Sequence, residues 1–421
     1  MKIYQVGGSV RDEILGRQPH DFDYVVVGSS IDEMLALGYK QVGKGFPVFL
    51  HPESGDEYAL ARKEIKTGNK HTDFEFVFDA SITLEDDLLR RDFTVNAMAK
   101  DTESGEIIDP FGGREDIANK IIRHVNDGHF AEDPLRVLRM CRFAAGLDFE
   151  IASQTMDKAR AMVAAGELDY LCAERIWKEI EKALESRGFD KFVTIARECG
   201  ALRVIMPEVD RLWSVPEKAE YHPEGNSGAH TVLALQKARN CLPMVKFGLL
   251  LHDVGKGQTP AEVLPAHHGH EDAGLPLIEE ICGRLKVPNK YRDFALLCCE
   301  KHMKFRLLPI MKIGKALDFV SGISRGFKNE QIMEDFIEVC RCDMYGRALT
   351  ETPPQDVDDF DKACRRCRSI FQKAKDIKAT DMPNFADLPK DENFGMKYRE
   401  FIISKIRGTD EKNNCRCFET D

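Results

Sequence analysis

The sequence predicts an α+β fold: a head with a small mixed β-sheet, followed by an all-α body. Three observations carry that prediction. Residues 1–110 alternate short β-branched runs with helical stretches closed by glycine. From about Ile117 onward, apolar residues recur at three- and four-residue spacing, as in Leu135 to Phe143, Ile176 to Leu184 and Phe192 to Ala201. A length of 421 residues exceeds one ordinary core and suits two to four domains.

The elements follow in order. Ile3 to Val6 reads as a strand, Gly7-Gly8 as a tight turn, and Ser9 as the cap of a short helix that stops near Gly16. Asp21 to Val27 is a second strand, after which Ser29 or Ser30 caps a helix closing at Gly38. Pro47 to His51 and Glu57 to Arg62 form a hairpin around Pro52-Glu53-Ser54-Gly55. The helical part breaks at Pro207, Pro216 to Gly228, Pro260 to Gly269 and Pro353-Pro354.

Composition excludes several classes. Hydrophobic residues make 43% and charged residues 31%, a globular profile, and runs such as Phe247 to Leu251 are too short to span a bilayer. The opening Met1-Lys2-Ile3-Tyr4 enters a strand without a signal-peptide pattern, so a cytoplasmic protein with no membrane partner is expected. Of thirteen cysteines only Cys364 and Cys367 form a C-x-x-C pair, which argues for reduced, mostly buried thiols. A net charge of −11 confines any nucleic-acid contact to a local patch, because phosphate neutralisation dominates such affinity. Arg284 to Lys328 is the one candidate: eleven Lys/Arg face three acids, a net +8 that leaves −19 elsewhere.

Asp21 and Asp23 stand two apart on a strand, so both carboxylates leave one face. Paired hard oxygens suit Mg²⁺ when a nucleotide triphosphate supplies further ligands. The preceding Gly7-Gly8-Ser9-Val10-Arg11-Asp12 turn lets backbone N–H groups approach phosphate at Gly8, and Arg11 can clamp phosphate oxygens. Glycine turn and D-x-D together describe a phosphate-and-metal site. Further on, Asp133 and Arg136 are three apart on an expected helix and so share a face, which Arg139 and Arg142 extend. A carboxylate and a guanidinium held at fixed separation can imitate the Watson–Crick edge of a base.

A second constellation begins where His252-Asp253 ends an apolar helix ahead of Val254-Gly255-Lys256-Gly257. His230 lies 22 residues upstream, and Asp343 lies 90 residues beyond Asp253, with Asp335 as its alternative. Two imidazoles and two carboxylates can hold a divalent transition metal such as Ni²⁺, Mn²⁺ or Co²⁺. His267, His268, His270 and His302 are expected, taken singly, to be surface loop histidines, although they could shape the substrate side.

The G-G-x-V-R-D turn followed by D-x-D resembles the class II tRNA nucleotidyltransferases and the related bacterial poly(A) polymerases. The likeness continues in order. Arg90-Arg91-Asp92-Phe93-Thr94-Val95-Asn96-Ala97 is similar to R-R-D-x-x-x-N-A, and Asp109-Pro110-Phe111-Gly112-Gly113 to the D-P-x-x-G hinge. Glu132-Asp133-Pro134-Leu135-Arg136 matches E-D-x-x-R, and Glu174-Arg175 with Glu179 matches E-R-x-x-x-E. The resemblance implies template-free addition of CCA to tRNA from CTP and ATP. It places Mg²⁺ on Asp21 and Asp23, and nucleotide positioning on Gly8, Arg11 and Arg91. Base selection falls to Asp133, Arg136, Arg139 and Arg142, with Glu174, Arg175 and Glu179 in support. The polar Arg62–Phe74 segment, with Gly68, Asn69 and Thr72, corresponds to a flexible loop that full CCA-adding members carry.

The H…H-D…D order resembles the HD phosphohydrolases. Several bacterial CCA-adding enzymes carry such a domain here, with phosphatase, 2′-nucleotidase and 2′,3′-cyclic phosphodiesterase activities. The implied organisation is a nucleotidyltransferase head (1–113), a helical neck and body (114–224), an HD domain (225–350) and a C-terminal helical tail (351–421), as monomer or homodimer. A poly(A) polymerase, or chiefly an HD phosphohydrolase, is the alternative.

Overall fold

The computed structural model describes residues 1–19, 22–42, 48–66, 74–77, 81–387 and 393–416. The chain divides into two compact units, Met1–Pro207 and Glu208–Asp421.

The first unit opens with β1 (Lys2–Val6), α1 (Gly8–Ile14), β2 (Asp23–Val27), α2 (Ile31–Ala36), β3 (Lys40–Val42), β4 (Val48–Leu50) and β5 (Glu57–Leu60). Next come β6 (Lys63–Lys66), β7 (Phe74–Val77), α3 (Leu84–Leu89), β8 (Ala99–Asp101) and β9 (Ile107–Ile108). Seven strands form one sheet in the order β3-β4-β5-β2-β1-β8-β9. It is mixed, because β2 runs parallel to β5 and antiparallel to β1. β6 and β7 form a separate antiparallel ribbon. Residues 67–73 of the Arg62–Phe74 segment, and Asp21 ahead of β2, lie outside the described residues.

β2 is buried on both faces, which its unbroken apolar run requires. Val25 joins Tyr4, Val6, Leu88 and Ala99 on one side, while Val26 joins Met34, Phe49 and Leu60 on the other. The cap of α1 is Gly7, not Ser9: the Ser9 hydroxyl donates inward to Val6 O at 3.2 Å. Ser30 caps α2 with a reciprocal bond from Glu33.

The unit continues through α4 (Gly113–Ala118), β10 (Ile121–Ile122), α5 (Asp127–Glu132), α6 (Leu135–Leu147), β11 (Glu150–Ile151) and α7 (Ser153–Ala164). It closes with α8 (Ala173–Glu185), α9 (Phe189–Glu198) and α10 (Ala201–Ile205). α6 packs on α8 and α9, with α8 burying Ile176, Trp177, Ile180 and Leu184 at helical spacing.

After the short α11 (Pro207–Asp210), the second unit is helical: α12 (Ser227–Lys237), α13 (Pro243–Leu251), α14 (His270–Arg284) and α15 (Asn289–Phe305). It ends with α16 (Ile313–Ile323), α17 (Glu330–Tyr345), α18 (Pro354–Ala374) and α19 (Phe394–Arg416). α13 buries every residue from Val245 to Leu251, because α12, α15 and α17 all pack on it. Eleven cysteines between Cys141 and Cys367 are free, and those of the C-x-x-C pair are buried on α18. Among the described residues no helix is long and apolar enough to cross a membrane.

Candidate active sites

The first site forms where β1 turns into α1. The β1–β2 register pairs Val6 with Asp23, which sets that carboxylate, exposed at the start of its strand, beside Gly7-Gly8. Gly7 adopts φ 76°, and a β-carbon there would stand 3.0 Å from Arg91 Nη1. The turn therefore needs glycine both for its backbone and for the approach of Arg91. A β-carbon on Gly8 would lie 3.4 Å from Arg11 Nη2. Two guanidiniums thus back the glycine turn.

Each is held from behind. Arg11 Nη1 donates to Asn96 Oδ1 at 2.7 Å, and Asn96 Nδ2 donates to Asp92 Oδ1 at 3.1 Å. Arg91 Nη2 pairs with Asp87 at 3.2 Å, while its buried Nε has no hydrogen-bond partner. Burial opposes ionisation of Asp87, but the adjacent Arg90 and Arg91 guanidiniums outweigh it and hold the carboxyl below its usual range. Asp92 behaves likewise: burial is overcome by Arg139 and by the bond from Asn96.

Arg139 Nη2 meets Asp92 Oδ2 at 2.6 Å, and Arg142 Nε meets Glu179 Oε2 at 2.5 Å. The Phe143 ring lies under Arg142 at 4.1 Å, with Arg139 at 5.3 Å and Arg11 at 5.4 Å. Asp92 and Phe143 link the α6 arginines to the glycine turn. Glu179 on α8 ties Arg142 down, and Arg175 Nη2 reaches Asp133 Oδ2 at 2.7 Å.

One expectation is corrected. Asp133 does not share a helix with Arg136: α5 ends at Glu132, Asp133 is extended (φ −124°, ψ 104°), and α6 starts at Leu135. The cause is Pro134, whose ring disfavours helical backbone in the residue before it. Arg136 is anchored separately, donating Nη2 to Arg90 O at 2.7 Å and Nη1 to His129 O.

The second site lies within the second unit. His230 projects from α12, His252 ends α13, Asp253 follows it, and Asp343 sits on α17. His230 Nε2 is 2.9 Å from Asp343 Oδ1, and His252 Nε2 is 3.2 Å from Asp253 Oδ2 and 3.7 Å from Asp343 Oδ1. Asp335 instead accepts from Gln331 at 2.8 Å. Burial opposes charge on His252, yet Asp253 and Asp343 lift its pKa to about 10, so the cluster attracts positive charge. His252 Nε2 and Asp253 Oδ1 are buried without hydrogen-bond partners, as atoms awaiting a cation would be.

Glu217 and Glu224 were not singled out from the sequence, and His270 and His302 were expected at the surface. His230 Nδ1 meets Glu224 Oε1 at 3.0 Å, orienting the ring from behind. Lys256 Nζ bridges Asp253 Oδ2 and Glu217 Oε1, each at 2.8 Å. His270 and His302 are buried beside Asp253 rather than lying at the surface, because α14 and α15 pack against the turn and α13. Only the H-x-x-H spacing of His267 and His270 hinted at more than a loop, whereas Glu217 and Glu224 fall in an irregular segment that carries no periodic signal.

Relatives of the chain are recognisable over most of its length. The profile of the family described as "Poly A polymerase head domain" matches residues 3–123, and that of "Probable RNA and SrmB- binding site of polymerase A" matches residues 148–212. A multifunctional CCA protein of Dechloromonas aromatica (strain RCB) is 46% identical over 359 residues, covering 85% of this chain and 86% of that protein. One from Acinetobacter baumannii (strain AYE) is 44% identical over 388 residues, covering 91% and 92%. In fold, the chain is similar to the Bacillus stearothermophilus CCA-adding enzyme in complex with CTP, with a TM-score of 0.63 and 24% identity over 98% of this chain and 94% of that one. Kinship at that level over most of both chains means that this protein belongs to the multifunctional CCA protein family.

Proposed function

We propose that this protein adds the 3′-terminal CCA to tRNA from CTP and ATP by template-free nucleotidyl transfer. The observation that carries the reading is the register of β1 on β2, which stands Asp23 beside the glycine turn that Arg11 and Arg91 back. In the reaction, the terminal 3′-hydroxyl attacks the α-phosphorus and pyrophosphate leaves. Asp23, with Asp21, offers the hard oxygen donors that suit Mg²⁺, which when bound neutralises triphosphate charge. Gly8 offers backbone close to the phosphates, and the unsatisfied Nε–H of Arg91 donates to a phosphate oxygen as its missing partner. Arg139 and Arg142, clamped by Asp92 and Glu179, orient the base together with Asp133 and Arg136.

The second cluster supports a second reading, an HD phosphohydrolase acting on phosphate esters at RNA ends or on nucleotides. The orphaned His252 Nε2 and Asp253 Oδ1 motivate it. His230, His252, Asp253 and Asp343 would hold a divalent transition metal there, whose bound state supplies charge to a phosphoryl oxygen. The corresponding division of the chain is head 1–113, neck and body 114–224, HD domain 225–350 and tail 351–421, in a cytoplasmic monomer or homodimer.

The test is incorporation of labelled CTP and ATP, separately and together, into a tRNA transcript lacking its last three nucleotides. Two C followed by one A, lost in Asp21→Ala and in Asp23→Ala but kept in His252→Ala, is the expected result. A long A tail would make the protein a poly(A) polymerase. No incorporation would leave the HD cluster as the working half.

A further inference from the structure

Cys241 and Cys342 lie 101 positions apart in sequence and meet at one carboxylate. Cys241 sits in the turn between α12 and α13, and Cys342 sits on α17. Cys241 Sγ donates to Glu338 Oε1 at 3.2 Å, and Cys342 Sγ stands 4.0 Å from the same oxygen. The two sulfurs and that carboxylate lie within 4.8 Å of one another. Both thiols are free, Cys241 partly exposed and Cys342 fully buried.

The surroundings decide what such a trio suits. Two sulfurs and a carboxylate are a donor set for a borderline cation such as Zn²⁺. Glu338, however, already gives both oxygens to Arg341: Nε reaches Oε2 at 2.8 Å, and Nη2 binds Oε1. The same Nη2 lies 3.9 Å from Cys342 Sγ. A cation there would have to displace a bidentate guanidinium and sit beside its positive charge. A partly exposed thiol on a carboxylate, with a second thiol and a guanidinium behind it, suits oxidation instead.

The pair also stands where a bridge would be felt. Cys342 directly precedes Asp343 on α17, and the turn that carries Cys241 follows the helix that carries His230. His230 Nε2 and Asp343 Oδ1 are 2.9 Å apart. Bonded sulfurs lie about 2.0 Å apart, so the turn or α17 must move for the pair to close. A displacement of about 1 Å is enough to cost a site about 100-fold in rate.

We propose that Cys241 and Cys342 form a reversible disulfide with a peroxide as oxidant, and that this bridge switches off the second site. The effect on hydrolysis rests on the phosphohydrolase reading, whereas the bridge itself does not. Cys241 passes its proton to Glu338 as its sulfur attacks one peroxide oxygen. The O–O bond breaks, one water leaves with that proton, and a sulfenic acid remains. Cys342 then attacks the oxidised sulfur, the S–O bond breaks, and a second water carries off the Cys342 proton. Two thiols lose two electrons, and the peroxide becomes two waters. In a reducing compartment such a bridge is transient and reports oxidant.

The test treats the full chain with limiting hydrogen peroxide, digests it with trypsin without reduction, and maps the peptides by mass spectrometry. Cleavage after Arg239, Lys246, Arg341 and Arg347 leaves each thiol alone in its own peptide, residues 240–246 and 342–347. These two peptides should appear linked and should separate in dithiothreitol. The oxidised chain should unfold at least about 4 °C higher and hydrolyse a 2′,3′-cyclic nucleotide at least about tenfold more slowly. Cys241→Ser should show neither change and should hydrolyse at the reduced parent's rate with or without peroxide. Separate oxidation of the two thiols, with no linked peptide, overturns the proposal. So does Zn²⁺ that survives desalting and protects both thiols, which would make the trio a metal site. A linked peptide with unchanged hydrolysis overturns the switch. A reduced chain that hydrolyses no phosphate ester sinks the phosphohydrolase reading alone, and the linked peptide and the midpoint still decide the bridge.

Discussion

Replacing Glu179 with alanine tests whether the α6 arginines are held by a buried charge or by ordinary surface pairing. Glu179 is 4% exposed, and its carboxylate lies 2.5 Å from Arg142 Nε and 3.9 Å from Arg139 Nη1. Charge centres about 4 Å apart attract by about 4 kcal/mol at an effective dielectric of about 20. Desolvation offsets much of that in the intact pair, so the larger effect comes from what deletion leaves behind. Arg142, with its side chain 15% exposed, would keep its charge and lose its carboxylate.

Removing one member of a buried pair costs about 3–5 kcal/mol. An exposed pair such as Arg160–Glu198, with side chains 47% and 53% exposed, is worth about 0–1 kcal/mol. In a unit of about 200 residues each kcal/mol lowers the melting midpoint by about 2–4 °C. Glu179→Ala should therefore lower the melting transition of the first unit by about 6–20 °C. The KM for CTP and ATP should rise as Arg142 loses its fixed direction. Calorimetry on the full chain and steady-state incorporation read the two effects. Adding Arg142→Met removes the stranded charge while keeping apolar contact with Phe143, and should recover more than half of the lost stability. A midpoint drop under about 2 °C, or a double variant that merely sums the two single losses, would refute the reasoning.

Three further outcomes are expected. Gly7→Ala must force a side chain into φ 76° and against Arg91, at a cost of about 1–3 kcal/mol, and should raise the KM for both nucleotides while leaving the unfolding of the second unit unchanged. Asp92, whose folded pKa is depressed, contributes stability that is complete above its unfolded pKa of about 4 and is lost as pH falls through the folded value. Asp92→Asn should accordingly flatten the acid side of a denaturation-midpoint profile below about pH 4, and an unchanged profile would remove Asp92 from the explanation. Neutralising Lys301, Lys304 and Arg306 together should weaken tRNA binding and reduce its salt dependence, and identical affinity at every salt concentration would discard that face as an RNA contact.

The charge reading of that last stretch shows what a linear count misses. Eleven basic residues between Arg284 and Lys328 suggested a concentrated patch. In space, acids from outside the stretch compensate part of it: Glu208 takes Arg284 at 2.8 Å, and Asp356 takes Arg306 at 3.3 Å. Asp133 is the opposite case, since the signal was present in the sequence. Its proline neighbour already forbade the helix on which its pairing with Arg136 was first placed.

What the sequence determined by itself is what neighbouring residues enforce. The glycine turn ahead of an apolar strand, the hairpin about Pro52 to Gly55 and the helical periodicity after Ile117 all follow from backbone limits and burial within a few residues. The tertiary structure alone decided which side chains meet across long separations. Arg142 and Glu179 pair because α6 lies on α8, and Asp23 stands beside Gly7-Gly8 because β2 pairs with β1 in one register. His270 and His302 surround Asp253 because Gly255 and Gly274 let α14 come within backbone contact of the turn. No local propensity encodes such meetings. They arise from close packing, where the absence of two β-carbons sets the position of a helix and, with it, the surroundings of a buried carboxylate.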